Sequence, residues 1–549
     1  PRAVFNGAAR IIFTSRSSAF KASCSVITVS LMNNASASGS VNRSENIENR
    51  LYQVELSCKA DSGGFLPYEA QSAANLDDEE QILALQYRDT PTYGVGHGCS
   101  VDWKSTTTNG AELVRISYLP EQMVYRPTFD SLKISGPTSE DADEYFSEMQ
   151  IFKLRRLALS CESDKAALLT ELRDFVEFYQ RWIGGEKAKN VSGHEVPAAA
   201  LIEQMEACAL RMMRGVQTLE NEECWECFQL ANLAMFFQMD QSFRVKTLRE
   251  KRESSGGIWP VPYKEAAEPV NTDPAEISEA FDPSWRPFQL AFFLSCVAGL
   301  EDLDSDDHNL VDLIWFSTGG GKTEAYLLLA SYELLRRRQR YGDLEKGLGT
   351  GVVTRYTLRF LTADQFNRTA SLGCALEKVR LRKKSTLGDE PFRVGLYIGN
   401  SQGYLTVDEA LSDCEALEAD ASARHKFQIT ECPNCGTSLI PHSREFVGNE
   451  LQGLGISVGK DGAKYRCQNT KCCFSTDSTI PVTVIDEDIY QNPPSILLGT
   501  IDKFAMIPYR ADGGRIFGKR PSNTFVVPPS LVIQDELHLI SGPLGTVAS

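Results

Sequence analysis

Two short stretches of this chain hold residue types that can do chemistry together. The first is Ser317-Thr318-Gly319-Gly320-Gly321-Lys322-Thr323-Glu324. Successive glycines let a backbone turn tightly enough to aim several N–H groups at one anion. A helical pattern over 325–336 follows, so the positive N-terminal end of a helix adds to the same pole. Lys322 then supplies a point charge to the β- and γ-phosphates of ATP, and Thr323 a hydroxyl to its Mg2+. The apolar run 311–316 reads as the strand that feeds the loop. The general phosphate-loop spacing asks for glycine at 316, where this chain has Phe316. The second stretch is Leu531-Val532-Ile533-Gln534-Asp535-Glu536-Leu537-His538, an apolar strand ending in acids. The C-terminal ends of parallel strands face the ligand crevice. Asp535 there would hold Mg2+ through water. Glu536 would orient and deprotonate the attacking water, and His538 would sense the γ-phosphate.

A third constellation is made of thiols. Cys432-Pro433-Asn434-Cys435-Gly436 is a knuckle with glycine at its turn, and Cys467 is followed by Cys472 and Cys473. Two thiolate pairs at such spacings suit a closed, tetrahedral zinc site of the structural kind. Cys432, Cys435, Cys467 and Cys472 are the expected ligands, with Cys473 or His442 as alternatives for the fourth place. Cys224 and Cys227 also form a C-x-x-C pair, but inside a helical pattern without a second pair, so they read as packed core thiols. His97 and Cys99 lie in a glycine-rich turn and have no third and fourth ligand nearby, which makes the turn structural.

These residues need a scaffold. Residues 283–549 alternate apolar runs with helical patterns, as a parallel α/β sheet does. An insertion over about 400–480 carries the cysteines and accounts for the long separation of Lys322 from Asp535. A polar linker, 251–282, precedes this lobe. Residues 151–250 have apolar residues at helical spacing and read as a helical domain. Residues 32–150 read as β-rich, with short apolar runs such as 82–87 and 112–119 between turn clusters. No acid occurs before Glu45, and the first methionine is Met32. Residues 1–31 therefore read as an organelle leader or, preferably, as sequence upstream of a true start at Met32. The expected class is multidomain, α+β and α/β.

Bulk composition narrows the function classes. The net charge of −17 excludes a whole-chain basic footprint for nucleic acid, though not a local groove lined by backbone amides. The 15 cysteines are odd in number and scattered over 549 residues. That pattern is unlike a small secreted disulfide scaffold and indicates a reducing cytoplasm. No apolar run approaches the roughly 18 residues that span a bilayer.

The order of motifs carries a resemblance. Thr318 to Thr323, followed by Asp535-Glu536-Leu537-His538, resembles motifs I and II of DExH-type superfamily 2 helicases. Trp285-Arg286-Pro287-Phe288-Gln289 is similar to the adenine-reading Q-motif, which implies paired hydrogen bonds from Gln289 to adenine, with Arg286 or Phe288 framing the base. The segment 355–362 resembles motif Ia, and 499–504 a later strand-binding motif. The resemblance implies that Thr357, Arg359, Thr500 and Lys503 touch a nucleic-acid backbone without reading sequence. The wording of 356–366, 499–505 and 534–545 looks like the helicase subunit of the DISARM anti-phage system, as do 85–88, 93–98 and 101–103. This resemblance implies a RecA-like lobe using ATP and Mg2+, to which the cysteine spacing adds an inserted zinc module and Zn2+. It further implies a motor on nucleic acid, DNA favoured, within a defence complex that supplies a partner subunit. A second RecA-like lobe, with its arginine fingers, lies outside this sequence. The expectation is therefore ATP binding with feeble hydrolysis and no unwinding here, and ATP hydrolysis by the full-length protein. An RNA helicase of the same superfamily, or a non-catalytic assembly subunit switched by nucleotide, are the competing readings.

Overall fold

The computed structural model describes the chain except residues 1, 5–7, 19–23, 35–50, 62–63, 69–75, 106–109, 118, 120–127, 130, 137–141, 263–272, 316–318, 342–345, 358–362, 442–445, 448–449, 452, 476–477, 521–525 and 538–549. Two compact units result, one of residues 1–128 with 183–205, the other of residues 129–182 with 206–549.

The first unit contains two three-stranded antiparallel sheets. One joins Arg2–Val4, Ala9–Ser17 and Ser25–Asn33; the other places Ala111–Ile116 between Leu56–Lys59 and Val101–Ser105. Tyr93 and Trp103 meet edge to face at 5.9 Å. The run 82–87, expected as a strand, belongs instead to a helix, Asp78–Gln86. The reason is a capping box: Asp77 accepts from the Glu80 N–H at 2.8 Å, and Glu80 accepts from the Asp77 N–H at 3.2 Å.

The second unit is mixed α/β around a five-stranded parallel sheet. Its strands are β1 (Val352–Tyr356), β2 (Val394–Tyr397), β3 (Val482–Thr483), β4 (Ile496–Thr500) and β5 (Leu531–Gln534), in the spatial order β3-β2-β4-β1-β5. Gly499 and Gln534 both pair with Arg355, so the C-terminal ends of β4, β1 and β5 are level. The helices that position the site are α1 (Glu222–Ser254), α2 (Pro287–Glu301), α3 (Lys322–Arg340), α4 (Ala363–Arg382) and α5 (Ile501–Ala505). Asn221 starts α1 by accepting from the N–H groups of Glu223 and Cys224, and Lys251 and Arg252 close it, matching the helix dipole at both ends. Its middle is buried nearly all round, from Phe228 through Phe237. Such a helix must be enclosed, and α1 packs against both α3 and α4. Cys224 and Cys227 lie in this core, where burial raises both thiols above their ordinary pKa. Most of the sheet, α1 to α4 and the cysteine-bearing segment share one hydrophobic core, while Phe504 of α5 packs against a second cluster that includes Tyr397 and Leu497. Among the described residues no helix is long and apolar enough to cross a membrane.

The strand expected over 311–316 does not form in its described part. Residues 310–315 lie outside the strands, with Val311 93% and Trp315 85% exposed. An ion pair holds this stretch elsewhere: Asp312 accepts from Arg211 at 2.5 and 2.8 Å. Phe316 lies outside the described residues.

Candidate nucleotide and metal sites

Construction of the first site begins at Trp285. Its ring is buried, and its indole N–H donates to the buried Asn232 side chain at 2.8 Å. With the indole pinned to α1, the chain turns into α2, whose first residue is Pro287 and whose cap is Arg286. Proline suits that position because its missing N–H would have no helical partner. Gln289, three residues past the cap, accepts from the Arg286 N–H at 2.8 Å through Oε1. Its Nε2 donates to the Gly321 carbonyl at 2.7 Å. Arg286 donates in turn to the Gly320 carbonyl, and its guanidinium stands 5.2 Å from the Phe129 ring centre. The expected Q-motif pair thus grips the glycine loop, and both polar ends of the Gln289 amide are used within the protein.

Gly319 and Gly321 take φ values of 80° and 85°, the left-handed region open to glycine. Gly321 caps α3, so Lys322 and Thr323 occupy the helix's first turn. They line a cavity of about 400 Å³ together with Arg286, Gln289, Asp535 and Glu536. That size suits a small-molecule site. Tyr326, one turn further along α3, connects the two halves. Its hydroxyl lies 3.4 Å from Thr323 Oγ1 and donates to Asp535 Oδ2 at 3.1 Å. The Tyr356 hydroxyl is 3.1 Å away on its other side. Burial raises the Tyr326 phenol well above its ordinary pKa, and nearby Tyr356 and Asp535 add to the shift. Asp535 follows β5 directly; its N–H donates to the Arg355 carbonyl at 3.1 Å, and its Oδ1 accepts from the Glu536 N–H at 2.9 Å. Glu536 has φ 51°, a conformation that costs a residue with a Cβ about 1–3 kcal/mol and tends to occur at functional positions.

Fit can be judged from the donors present. Thr323 and Asp535 offer oxygens within reach of a single phenol, and hard oxygen donors suit Mg2+. The loop offers a helix N-terminus and a lysine to phosphates. Gln365 and Arg368, from α4, complete the wall of the cavity; Arg368 pairs with Glu324 at 3.2 Å. The sequence reading missed both, along with Tyr326. Tyr326 carried one available signal, its spacing of one helical turn from Thr323. Arg368 carried none, because its position depends on how α4 packs.

The expected strand-contacting residues divide. Thr357 and Thr500 follow or end neighbouring strands β1 and β4 and are buried. Among the described residues, neither hydroxyl has a hydrogen-bond partner. Lys503, on α5, is committed elsewhere: its ammonium meets Asp486 at 2.5 Å with both side chains largely buried, and it lies 4.9 Å from the centre of the Tyr397 ring. Thr318, Arg359 and His538 fall outside the described residues, as does His442.

The second site gathers Cys432, Cys435, Cys467 and Cys472, whose sulfurs all lie within 4.8 Å of one another. Zinc–sulfur bonds near 2.3 Å in a tetrahedron require sulfur separations of about 3.8 Å, so the group is compatible with zinc. The knuckle folds as its sequence dictates. The Gly436 N–H donates to the Cys432 carbonyl at 2.8 Å with Gly436 at φ 72°, and a Cβ there would meet the Trp259 ring at 2.6 Å. Buried Asn434 donates to Cys472 Sγ at 3.2 Å, and the Asn469 N–H to Cys467 Sγ at 3.4 Å. Donors of this kind stabilise thiolates and orient them. The cluster lies in the crossover between β2 and β3. It is buried against the C-terminal part of α1, where Arg249 pairs with Glu431 at 2.9 Å.

No protein-family model matches the chain. It is 31% identical over 553 residues to the DISARM protein DrmA of Bacillus paralicheniformis, an alignment covering 92% of this chain and 45% of that protein. The chain therefore spans a little under half the length of this curated relative.

Proposed function

We propose that this chain is the ATP-binding part of a DExH-type superfamily 2 motor acting on nucleic acid, DNA before RNA, in anti-phage defence. The observation that carries this reading is the convergence of Lys322, Thr323, Asp535 and Glu536 on one cavity. The C-terminal edge of a parallel sheet is where such folds take nucleotides. Similarity to the DISARM protein DrmA supports the defence role, and with it a partner subunit in a defence complex.

In this reading the sheet lobe is RecA-like. The N–H groups of the glycine loop and Lys322 hold the phosphates, while Thr323 and Asp535 hold Mg2+, which offsets charge on the transferring phosphoryl group. Glu536 orients water and takes its proton. The Thr357 and Thr500 hydroxyls, at the C-terminal ends of β1 and β4 and without a hydrogen-bond partner among the described residues, are the contacts offered to a strand's phosphates. An arginine finger donated by a second lobe would add about 10³–10⁵ in rate, as in related enzymes.

The test is binding of a fluorescent ATP analogue with Mg2+ by this chain and by Lys322→Ala. Binding that the substitution abolishes is the expected result; equal binding by both, or none by either, rejects the nucleotide site. In the full-length protein, ATP hydrolysis stimulated more by DNA than by RNA and lost in Glu536→Gln is expected. Stimulation by RNA alone would make it an RNA motor, and absent hydrolysis a nucleotide-switched assembly subunit.

A further inference from the structure

The phenol of Tyr326 stands between the two groups that the nucleotide reading assigns to the metal, and proton accounting fixes what it does there. A carboxylate can only accept, and a phenol has one proton. Tyr326 therefore gives its proton to Asp535 Oδ2, at 3.1 Å. Its oxygen is left to accept from Tyr356, at 3.1 Å, and the same hydroxyl lies 3.4 Å from Thr323 Oγ1. One phenol is thus in contact with both Thr323 and Asp535. The other Asp535 oxygen accepts from the Glu536 N–H at 2.9 Å, so the carboxylate plane is fixed from both sides.

We propose that Tyr326, backed by Tyr356, is the positioning residue that sets Thr323 and Asp535 in register for a divalent cation. The inference rests on the nucleotide reading above and adds a residue to it. Three features support the role. Tyr326 lies one helical turn past Thr323 on α3, so its ring moves with Thr323 rather than with β5. Tyr356 ends β1, the strand paired with β5, so the second phenol is tied to the segment that carries Asp535. Both rings are buried, Tyr326 to 7% and Tyr356 to 2% exposure, which leaves the hydroxyls few alternative partners. The two phenols thus join the loop and the acidic strand by hydrogen bonds that need no ion. Groups that orient metal ligands from behind typically change metal affinity by about 10–100-fold when removed.

The experiment follows Mn2+ binding by electron paramagnetic resonance, with a fluorescent ATP analogue read in parallel, on this chain and on Tyr326→Phe and Tyr356→Phe. Phenylalanine keeps the ring and removes only the hydroxyl. Tyr326→Phe is expected to raise the half-saturating Mn2+ concentration about tenfold, with analogue affinity in the absence of added divalent ion unchanged. Tyr356→Phe should raise it less, because it acts through Tyr326. Unchanged Mn2+ binding in Tyr326→Phe overturns the inference and leaves the nucleotide site standing. Equal loss of metal-dependent and metal-free analogue binding also overturns it, since a merely structural ring would behave so. No analogue binding by the unsubstituted chain rejects the nucleotide reading itself, and the inference with it.

Discussion

Gln289 donates its side-chain amide to the backbone carbonyl of Gly321 at 2.7 Å, linking the start of α2 to the residue that caps α3. A single neutral hydrogen bond contributes about 0.5–1.5 kcal/mol. Gln289→Ala should therefore weaken binding of an ATP analogue severalfold by loosening the loop. Gly321→Ala should do more. Its φ of 85° is costly for alanine, about 1–2 kcal/mol, and the new Cβ would meet Gln289 Nε2 at 2.7 Å. If the two residues act through one contact, the double substitution costs less than the sum of the singles. A double-mutant cycle on analogue affinity checks this; strict additivity would separate the two residues.

Glu333 gives a pH dependence with an unusual sign. It is buried on α3, at 1% exposure, and accepts from the Ser530 hydroxyl next to β5. Burial pushes its carboxyl above the ordinary value, an effect that Ser530 and nearby arginines only partly offset. Because the folded pKa lies above the unfolded one, the folded state binds the proton more tightly. The associated stability is fully present below the unfolded glutamate value, about 4.3, and is lost as pH rises through the raised folded value. Glu333→Gln removes the titration. Its melting temperature should gain on that of the parent chain as pH rises from 4 toward neutrality. A constant difference at every pH would reject this account.

Which residues meet in the cavity and in the sulfur cluster was more legible in the sequence than the scaffold that brings them together. Lys322, Thr323, Asp535 and Glu536 could be singled out because phosphate and Mg2+ binding demand particular residue types at particular spacings, and the four cysteines for the same reason. Tyr326 and Arg368 were not, since a tyrosine or arginine on a helix has many uses until its neighbours are known. The run 311–316 misled because its apolar residues satisfy a strand pattern. The pairing of Asp312 with Arg211, distant in sequence, is what holds the segment elsewhere. The run 82–87 misled in the opposite way: its apolar residues were visible, but the capping box that starts the helix lies before them.

The cysteine cluster is buried in the same core as the sheet, so loss of a zinc ion held there should destabilise the whole lobe. Cys435→Ser or Cys467→Ser is expected to lower zinc content and the melting temperature together, because binding energy at a structural site is folding energy. Cys473→Ser should leave one zinc per chain, as Cys473 is not among the four clustered sulfurs. Elemental analysis of the purified variants decides it. Full zinc content in Cys467→Ser, or its loss in Cys473→Ser, would reassign the ligands.

Helix α4 makes a connection between the two sites that neither motif announces. Near its start Gln365 and Arg368 face the cavity that Lys322 and Asp535 line. Further along, Cys374 and Lys378 are buried within electrostatic reach of Cys472, and Gln241 of α1 lies between Ser371 at 2.8 Å and Lys378 at 3.0 Å. A buried ammonium needs compensating charge or hydrogen bonds, and a tetrathiolate around zinc leaves net negative charge in its surroundings. Loss of the ion, with protonation of the thiols, removes that charge beside Lys378 and should shift the helix that carries Arg368. Zinc withdrawal by a thiol-reactive reagent is therefore expected to weaken binding of the ATP analogue even with Mg2+ in excess, and readdition of zinc after reduction to restore it. Lys378→Met, which keeps the bulk of the chain and removes its charge, should make analogue binding less sensitive to zinc withdrawal. If the substituted and parent chains lose affinity equally, the coupling does not run through Lys378. If zinc withdrawal leaves affinity untouched while the protein stays folded, α4 does not connect the two sites.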